Sequence, residues 1–170
     1  MPKIFHIKEI NFELRDSRIP EFSWHTSQLL ANQANSKHLQ FDIRSLDSGK
    51  FSFPYHAHRA SEELFYIISG EATLRTPEGF QKVVTGDIIF FEEGPTSAHQ
   101  LYNHTDSPCI YLDIRSSFGI DVAEYPDSGK IFVSPFREIF EISSKTDYYK
   151  GEEDVAKKWP AEIIRKSDET

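Results

Sequence analysis

The chain holds a single cysteine, Cys109, so it can form no disulfide within itself and has no need of an oxidising compartment. It also lacks any apolar run near the roughly 20 residues that a membrane helix requires. The first ten residues, Met1 to Ile10, interrupt their apolar positions with charge, which leaves no signal-peptide core. Cations are short too: 19 Lys and Arg stand against 27 Asp and Glu, a net charge of −8. A surface of that sign repels phosphate backbones and anionic membranes. No internal repeat and no low-complexity segment is present. Together these absences lead to the expectation of a cytoplasmic protein that binds neither nucleic acid nor membrane.

What is present points to β structure. A chain of 170 residues, 38% of them hydrophobic, is the size of one domain with a real core. Its 14 Phe and 7 Tyr favour the pleated surface of a sheet. From Leu39 onward, short β-prone runs alternate with Gly, Pro, Asn and Asp signals: Leu39 to Leu46, Phe51 to His58, Glu63 to Ile68, Ala72 to Thr76, Phe80 to Val84, Ile88 to Phe91, Ala98 to Asn103 and Cys109 to Arg115. Pro77-Glu78-Gly79 has the chemistry of a hairpin turn. The connections are too short for parallel crossovers, so the sheets are expected to be antiparallel. About eight such strands resolve their edges by closing into a barrel or a double-sheet jelly roll.

The flanks are read as extensions of one domain: an N-terminal arm over residues 1–37, a barrel core over 38–115, and a C-terminal extension over 116–170 packing on the barrel. The arm has one weakly helical stretch, Ser27 to Asn35, and is otherwise expected to add a strand to the barrel or to a neighbouring subunit. The extension has β-like runs at Lys130 to Val133 and Phe136 to Ile142. A charged segment from Gly151 to Trp159 then reads as a short helix stopped by Pro160. The last ten or so residues are polar enough to fray.

Three of the seven histidines stand apart from the rest. His56 and His58 lie two positions apart, so on an extended segment both imidazoles project from one face and can chelate one ion. Glu63 follows at an odd step, which requires Arg59-Ala60-Ser61 to form a turn. His99 comes from a separate strand behind a Gly-Pro loop. Imidazole is a borderline nitrogen donor, so three imidazoles and a carboxylate suit iron, manganese, nickel, copper or zinc over magnesium or calcium. Four protein ligands on an octahedral ion leave two positions for water or substrate. His6, His25, His38 and His104 have no partner at ligand spacing and read as surface or core histidines.

These motifs resemble the cupin superfamily. Gly49, His56-Ala57-His58, Glu63 and Gly70 match its first motif, and Gly86, Gly94, His99 and Asn103 its second. Glu92 stands where the second motif has proline, and the step from Gly94 to His99 is longer than usual, departures that alter a loop beside the site. The resemblance covers about residues 41–115. It implies the all-β double-stranded β-helix, with His56, His58, Glu63 and His99 as ligands of one divalent transition metal. More narrowly, the run from His56 to Gly70, the segment from His99 to Asn103, and Tyr125-Pro126-Asp127 resemble small single-domain bacterial cupins sometimes labelled sugar-phosphate isomerases.

The function expected from this is a metal-dependent enzyme acting on a small molecule, in the manner of a sugar-phosphate isomerase. The alternatives are a non-haem iron dioxygenase of the cupin type and a non-catalytic ligand-binding module. Period two on the strands predicts an apolar lining around the metal, bordered by Phe90 or Phe91, Phe53 or Tyr55, and Tyr111. Glu62 or Glu92 is the candidate proton-transfer base, and Arg44, Arg59 and Arg115 are candidate phosphate contacts. A homodimer is expected, with the arm before Lys37 exchanged across a two-fold axis.

Overall fold

The computed structural model describes residues 1–164, and the expectation of a frayed end falls mostly on the residues beyond them. Thirteen strands run in chain order: β1 (Glu13–Arg15), β2 (Trp24–Thr26), β3 (Leu39–Leu46), β4 (Ala57–His58), β5 (Glu63–Ser69), β6 (Glu71–Thr76), β7 (Gly79–Val84), β8 (Ile88–Phe91), β9 (Gln100–Tyr102), β10 (Cys109–Ser116), β11 (Asp121–Tyr125), β12 (Lys130–Ser134) and β13 (Glu138–Glu141). A single short α-helix, α1 (Leu30–Ala34), falls inside the stretch expected to be helical. The charged segment near the C-terminus forms only a 3-10 turn, Val155–Lys158. Among the described residues no helix is long and apolar enough to cross a membrane.

The strands form three antiparallel sheets, ordered β1-β2-β3-β10-β5-β8, β13-β12-β11-β4 and β7-β6-β9. The fold is the all-β double-stranded β-helix expected from the sequence. The arm adds β1 and β2 beside β3 of its own chain.

Two of the expected strands are shorter than their apolar runs. The segment from Phe51 to His58 pairs only at Phe51, at His56 and along β4, because Phe53-Pro54-Tyr55 bends and Pro54 has no N–H to give a ladder. The strand expected over Ala98 to Asn103 is reduced to β9. Conversely, β11 was not foreseen.

The core fills the space between the large sheet and the β6–β9 sheet, with Leu46, Ile67, Leu74, Leu101 and Tyr111 sealed from solvent. Gly70 makes the tightest turn possible here: it has φ +80°, and a Cβ on it would lie 2.5 Å from the Pro108 carbonyl oxygen. Only glycine meets both demands. Asn103 is a turn residue, as its sequence context suggests. Its amide donates to the Leu46 and Ser107 carbonyls and its oxygen accepts from the Thr105 backbone and hydroxyl.

Candidate metal centre

His56 and His99 face each other across a two-bond antiparallel bridge. The His99 N–H donates to the His56 carbonyl at 2.8 Å and the His56 N–H to the His99 carbonyl at 3.2 Å. Such a pair places both side chains on one face, and the two rings are 4.8 Å apart. His58 follows on the same face with its ring 5.0 Å from that of His56. The break over Arg59 and Ala60 then lets β5 start with Glu63 turned inward, as the odd spacing required.

The four residues singled out in the sequence thus lie in one buried cluster. Donor atoms of His56, His58 and Glu63 are all within 4.8 Å of one another. Glu63 Oε2 is 3.6 Å from His58 Nε2 and 3.0 Å from His99 Nε2. The shorter approach lacks the alignment of a hydrogen bond, and neither Glu63 Oε2 nor His99 Nε2 has a hydrogen-bond partner.

The outer nitrogens are fully engaged. His56 Nδ1 donates to the Pro54 carbonyl at 2.8 Å, His99 Nδ1 to the Ser97 carbonyl at 2.9 Å, and His58 Nδ1 to Asp121 Oδ2 at 2.5 Å. A proton held on each Nδ1 leaves the Nε2 lone pairs as the metal-binding donors, although that of His58 also faces Arg115 Nη1 at 3.4 Å. Burial, reinforced by the neighbouring His99, holds His56 down at about 3, so its ring is neutral at physiological pH. An unpartnered carboxylate oxygen facing an unpartnered imidazole in a buried site also fits a cation between them.

Asp121 and Tyr125 were missed. They sit on β11, which pairs with β4 at His58 and Ala123 and so wraps the C-terminal segment onto the site. Asp121 also accepts the Ala60 N–H at 3.2 Å, and the Tyr125 ring stacks on His56 at 5.8 Å. The one signal in the sequence was Tyr125-Pro126-Asp127, noted for its resemblance rather than its chemistry.

The cluster opens into a cavity of about 250 Å³ whose wall includes Arg44, Phe53, Asp113, Arg115, Tyr125 and Phe132. An apolar lining was expected; the wall is mixed, with Leu29, Phe41, Phe53, Ala123 and Phe132 beside Asp42, Arg44, Asp113 and Arg115. The inward positions of β3 are Gln40, Asp42 and Arg44, and they meet Asp113 and Arg115 on β10, with Arg115 directly opposite Glu63. Asp42 is held by the hydroxyls of Thr26 and Ser27. Arg44 pairs with Asp113 at 3.1 Å and lies 4.4 Å from the Phe53 ring centre, while its Nε and Nη1 have no hydrogen-bond partner. Burial pushes the Asp113 carboxyl up to about 7; Arg44 opposes this and Glu63 adds to it.

The other expectations divide. Phe53 borders the cavity, and Phe91 stacks on His99 at 3.7 Å. Tyr111 lies in the core, Tyr55 stacks under Arg75, and Phe90 points outward. Glu62 and Glu92 are exposed, and Glu92 accepts a hydrogen bond from Thr96. Arg59 is engaged with Glu124 outside the cavity, whereas Arg44 and Arg115 line it.

The model of the cupin domain family matches residues 43–115. The matched segment, less than half of the chain, resembles a cupin domain. No curated protein matches the chain. Among solved structures, this chain is similar to a "putative sugar phosphate isomerase" from Acidithiobacillus ferrooxidans, with TM-score 0.74 and 22% identity over 83% of this chain and 91% of that one. A sugar phosphate isomerase of the cupin superfamily from Silicibacter pomeroyi gives TM-score 0.73 and 20% identity, over 88% of this chain and 98% of that one. The polyketide cyclase RemF from Streptomyces resistomycificus is more distant, with TM-score 0.55 and 18% identity, over 68% of this chain and 80% of that one. Likeness at these identities speaks for a shared fold.

Proposed function

We propose that this chain is a metal-dependent enzyme acting on a small anionic molecule, with His56, His58, Glu63 and His99 holding one divalent transition ion. The observation that carries the reading is the tying of all three Nδ1 atoms to outer acceptors, which leaves the Nε2 atoms to the buried cluster, where Glu63 Oε2 lies 3.6 Å from His58 Nε2 and 3.0 Å from His99 Nε2. Bound there, the ion supplies Lewis acidity toward a substrate carbonyl or hydroxyl oxygen.

The surrounding residues supply the rest. Arg115, partly open to the cavity, offers guanidinium N–H groups to an anionic substituent such as a phosphate. Asp113 is the buried carboxyl placed to take and return a proton, and Arg44 holds it in position. Phe53, Tyr125 and Phe132 narrow the space left for water. An aldose–ketose isomerase needs this combination of a polarised oxygen, a proton carrier and an anion contact. The similarity to two proteins described as sugar phosphate isomerases supports it.

The test is elemental mass spectrometry of the wild type beside His58→Ala and His99→Ala. The expected result is near one transition metal per chain, largely lost in both variants. An empty wild type that stays empty after reloading sinks the metalloenzyme reading. Loaded protein would then be assayed on phosphorylated aldoses for ketose formation, and iron as the resident metal would move the first assay to oxygen consumption.

A further inference from the structure

Among the described residues, five buried side-chain atoms have no hydrogen-bond partner: Glu63 Oε2, His99 Nε2, Arg44 Nε, Arg44 Nη1 and the Tyr111 hydroxyl. A folded chain rarely leaves such groups unpaired, because burial removes the water that would satisfy them. An ion at the four proposed ligands accounts for the first two, which offer it lone pairs. It does nothing for the other three, which offer N–H and O–H donors.

Arg44 and Tyr111 stand directly opposite each other in the register of β3 and β10, so their side chains leave the sheet on one face. Burial pushes the Tyr111 hydroxyl well above its ordinary value, and the Arg44 charge opposes this, as close neighbours do. The Arg44 guanidinium is fixed on two sides: Nη2 pairs with Asp113 at 3.1 Å, and its central carbon lies 4.4 Å from the Phe53 ring centre. That leaves Nε and Nη1, whose protons an arginine does not give up. Arg44 lines the metal cavity, yet these two nitrogens are sealed from solvent, whereas the Arg115 side chain is 28% exposed. The cavity thus has an outer cation and an inner one.

We propose that Arg44 and Tyr111 form an inner subsite for a substrate carboxylate, so that the molecule this protein acts on is a small hydroxy acid. An ionised carboxylate only accepts hydrogen bonds and has lone pairs enough for three donors. A hydroxyl would bring one more donor to a group of donors, and the larger tetrahedral phosphate suits the more open Arg115. A cavity of about 250 Å³ has room for such an acid, with its hydroxyl end towards the ligand cluster. Only that hydroxyl end rests on the proposed metal site; the carboxylate end stands on Arg44 and Tyr111.

The test follows glycolate binding by amide shifts in nuclear magnetic resonance, with ethylene glycol as the carboxyl-free counterpart, in zinc-free and zinc-loaded protein. Wild type is compared with Tyr111→Phe, Arg44→Lys and Tyr55→Phe, the last a control whose ring stacks on Arg75 instead. Tyr111→Phe and Arg44→Lys should each weaken glycolate by at least about tenfold, the loss of one charge-assisted contact. Tyr55→Phe should stay within about twofold of the wild type, and ethylene glycol should bind at least about tenfold more weakly than glycolate. Without ligand, Tyr111→Phe should melt no lower than the wild type, because the hydroxyl has no partner to lose. A lower melting temperature would mean that an ordered water already satisfies the hydroxyl, and would overturn the proposal. So would equal glycolate affinity in the wild type and folded Tyr111→Phe, or ethylene glycol binding as tightly as glycolate. Should Arg44→Lys fail to fold, Tyr111→Phe decides alone. Normal zinc binding beside an unmoved glycolate affinity in Tyr111→Phe overturns this subsite only, whereas zinc-free protein that still separates wild type from Tyr111→Phe keeps it even if the metal reading falls.

Discussion

His58 Nδ1 and Asp121 Oδ2 stand 2.5 Å apart across 63 positions of sequence because β4 and β11 pair beside them. The carboxylate holds the proton on Nδ1 and orients the ring, so it acts on any ion at Nε2 without touching it. Asp121→Asn is expected to keep the fold and lower metal affinity by about 10- to 100-fold. Competition against a chelator of known affinity measures this, and an unchanged affinity would mean that Asp121 only anchors the loop through the Ala60 N–H.

Arg115 and Arg59 separate the anion contact from surface charge. Arg59 is committed to Glu124 outside the cavity, whereas Arg115 lines the cavity opposite Glu63, with its Nη1 3.6 Å from Asp121 Oδ2. A charge-assisted contact is worth about 1.5–3 kcal/mol, so Arg115→Gln should weaken binding of inorganic phosphate to the metal-loaded protein by about 10- to 100-fold. Arg59→Gln should leave it within about twofold of the wild type. Titration calorimetry distinguishes them, and equal effects would remove Arg115 from the site.

Asp113 gives stability a definite slope with pH. Burial raises its folded carboxyl to about 7 from the ordinary 3.8, so the folded state binds the proton more tightly than the unfolded chain does. That contribution is present below the unfolded value and is lost as pH rises through about 7. In metal-free protein this loss opposes the gain in stability with rising pH that His56, held down at about 3, contributes over much of the same range, so Asp113→Asn should make stability rise more steeply between about pH 4 and 7. The variant is also expected to be less stable in absolute terms, because Arg44 loses its buried partner. Denaturant titrations at several pH values read the slope; one that is the same in the variant and the wild type refutes the assignment.

Gly70 and Gly49 both have positive φ, but only Gly70 is crowded. A Cβ at Gly49 meets nothing within 4 Å, while one at Gly70 runs into the Pro108 carbonyl. Gly49→Ala should cost about 1 kcal/mol from backbone strain alone. Gly70→Ala should cost about 2–4 kcal/mol, a melting temperature lower by roughly 5–15 °C. Similar losses in the two would show that the β5–β6 turn yields to the methyl group.

The ligand cluster was legible because most of its information is local. His56 and His58 share a face by the geometry of an extended chain, and the odd step to Glu63 demanded a break that Arg59 and Ala60 supply. The charged part of the cavity wall was missed for an equally local reason. On β3 and β10 the polar positions alternate with apolar ones, and polar alternation ordinarily means solvent. Gln40, Asp42, Arg44, Asp113 and Arg115 all obey that pattern and all face inward. Leu112 and Ile114 take the outside.

Composition, strand spacing and the two histidine-bearing motifs were enough to determine an all-β barrel and the residues that gather inside it. The strands follow from backbone periodicity and turn chemistry, which act over a few residues, while the resemblance to the two cupin motifs joined Glu63 and His99 to His56 and His58. Only the tertiary structure decided which face of each strand lies inside and that β11 would bring Asp121 and Tyr125 to the cluster. Barrel closure sets the first and long-range pairing of β11 with β4 the second. Both depend on contacts between segments tens of residues apart, whose free energy is not written in either segment alone.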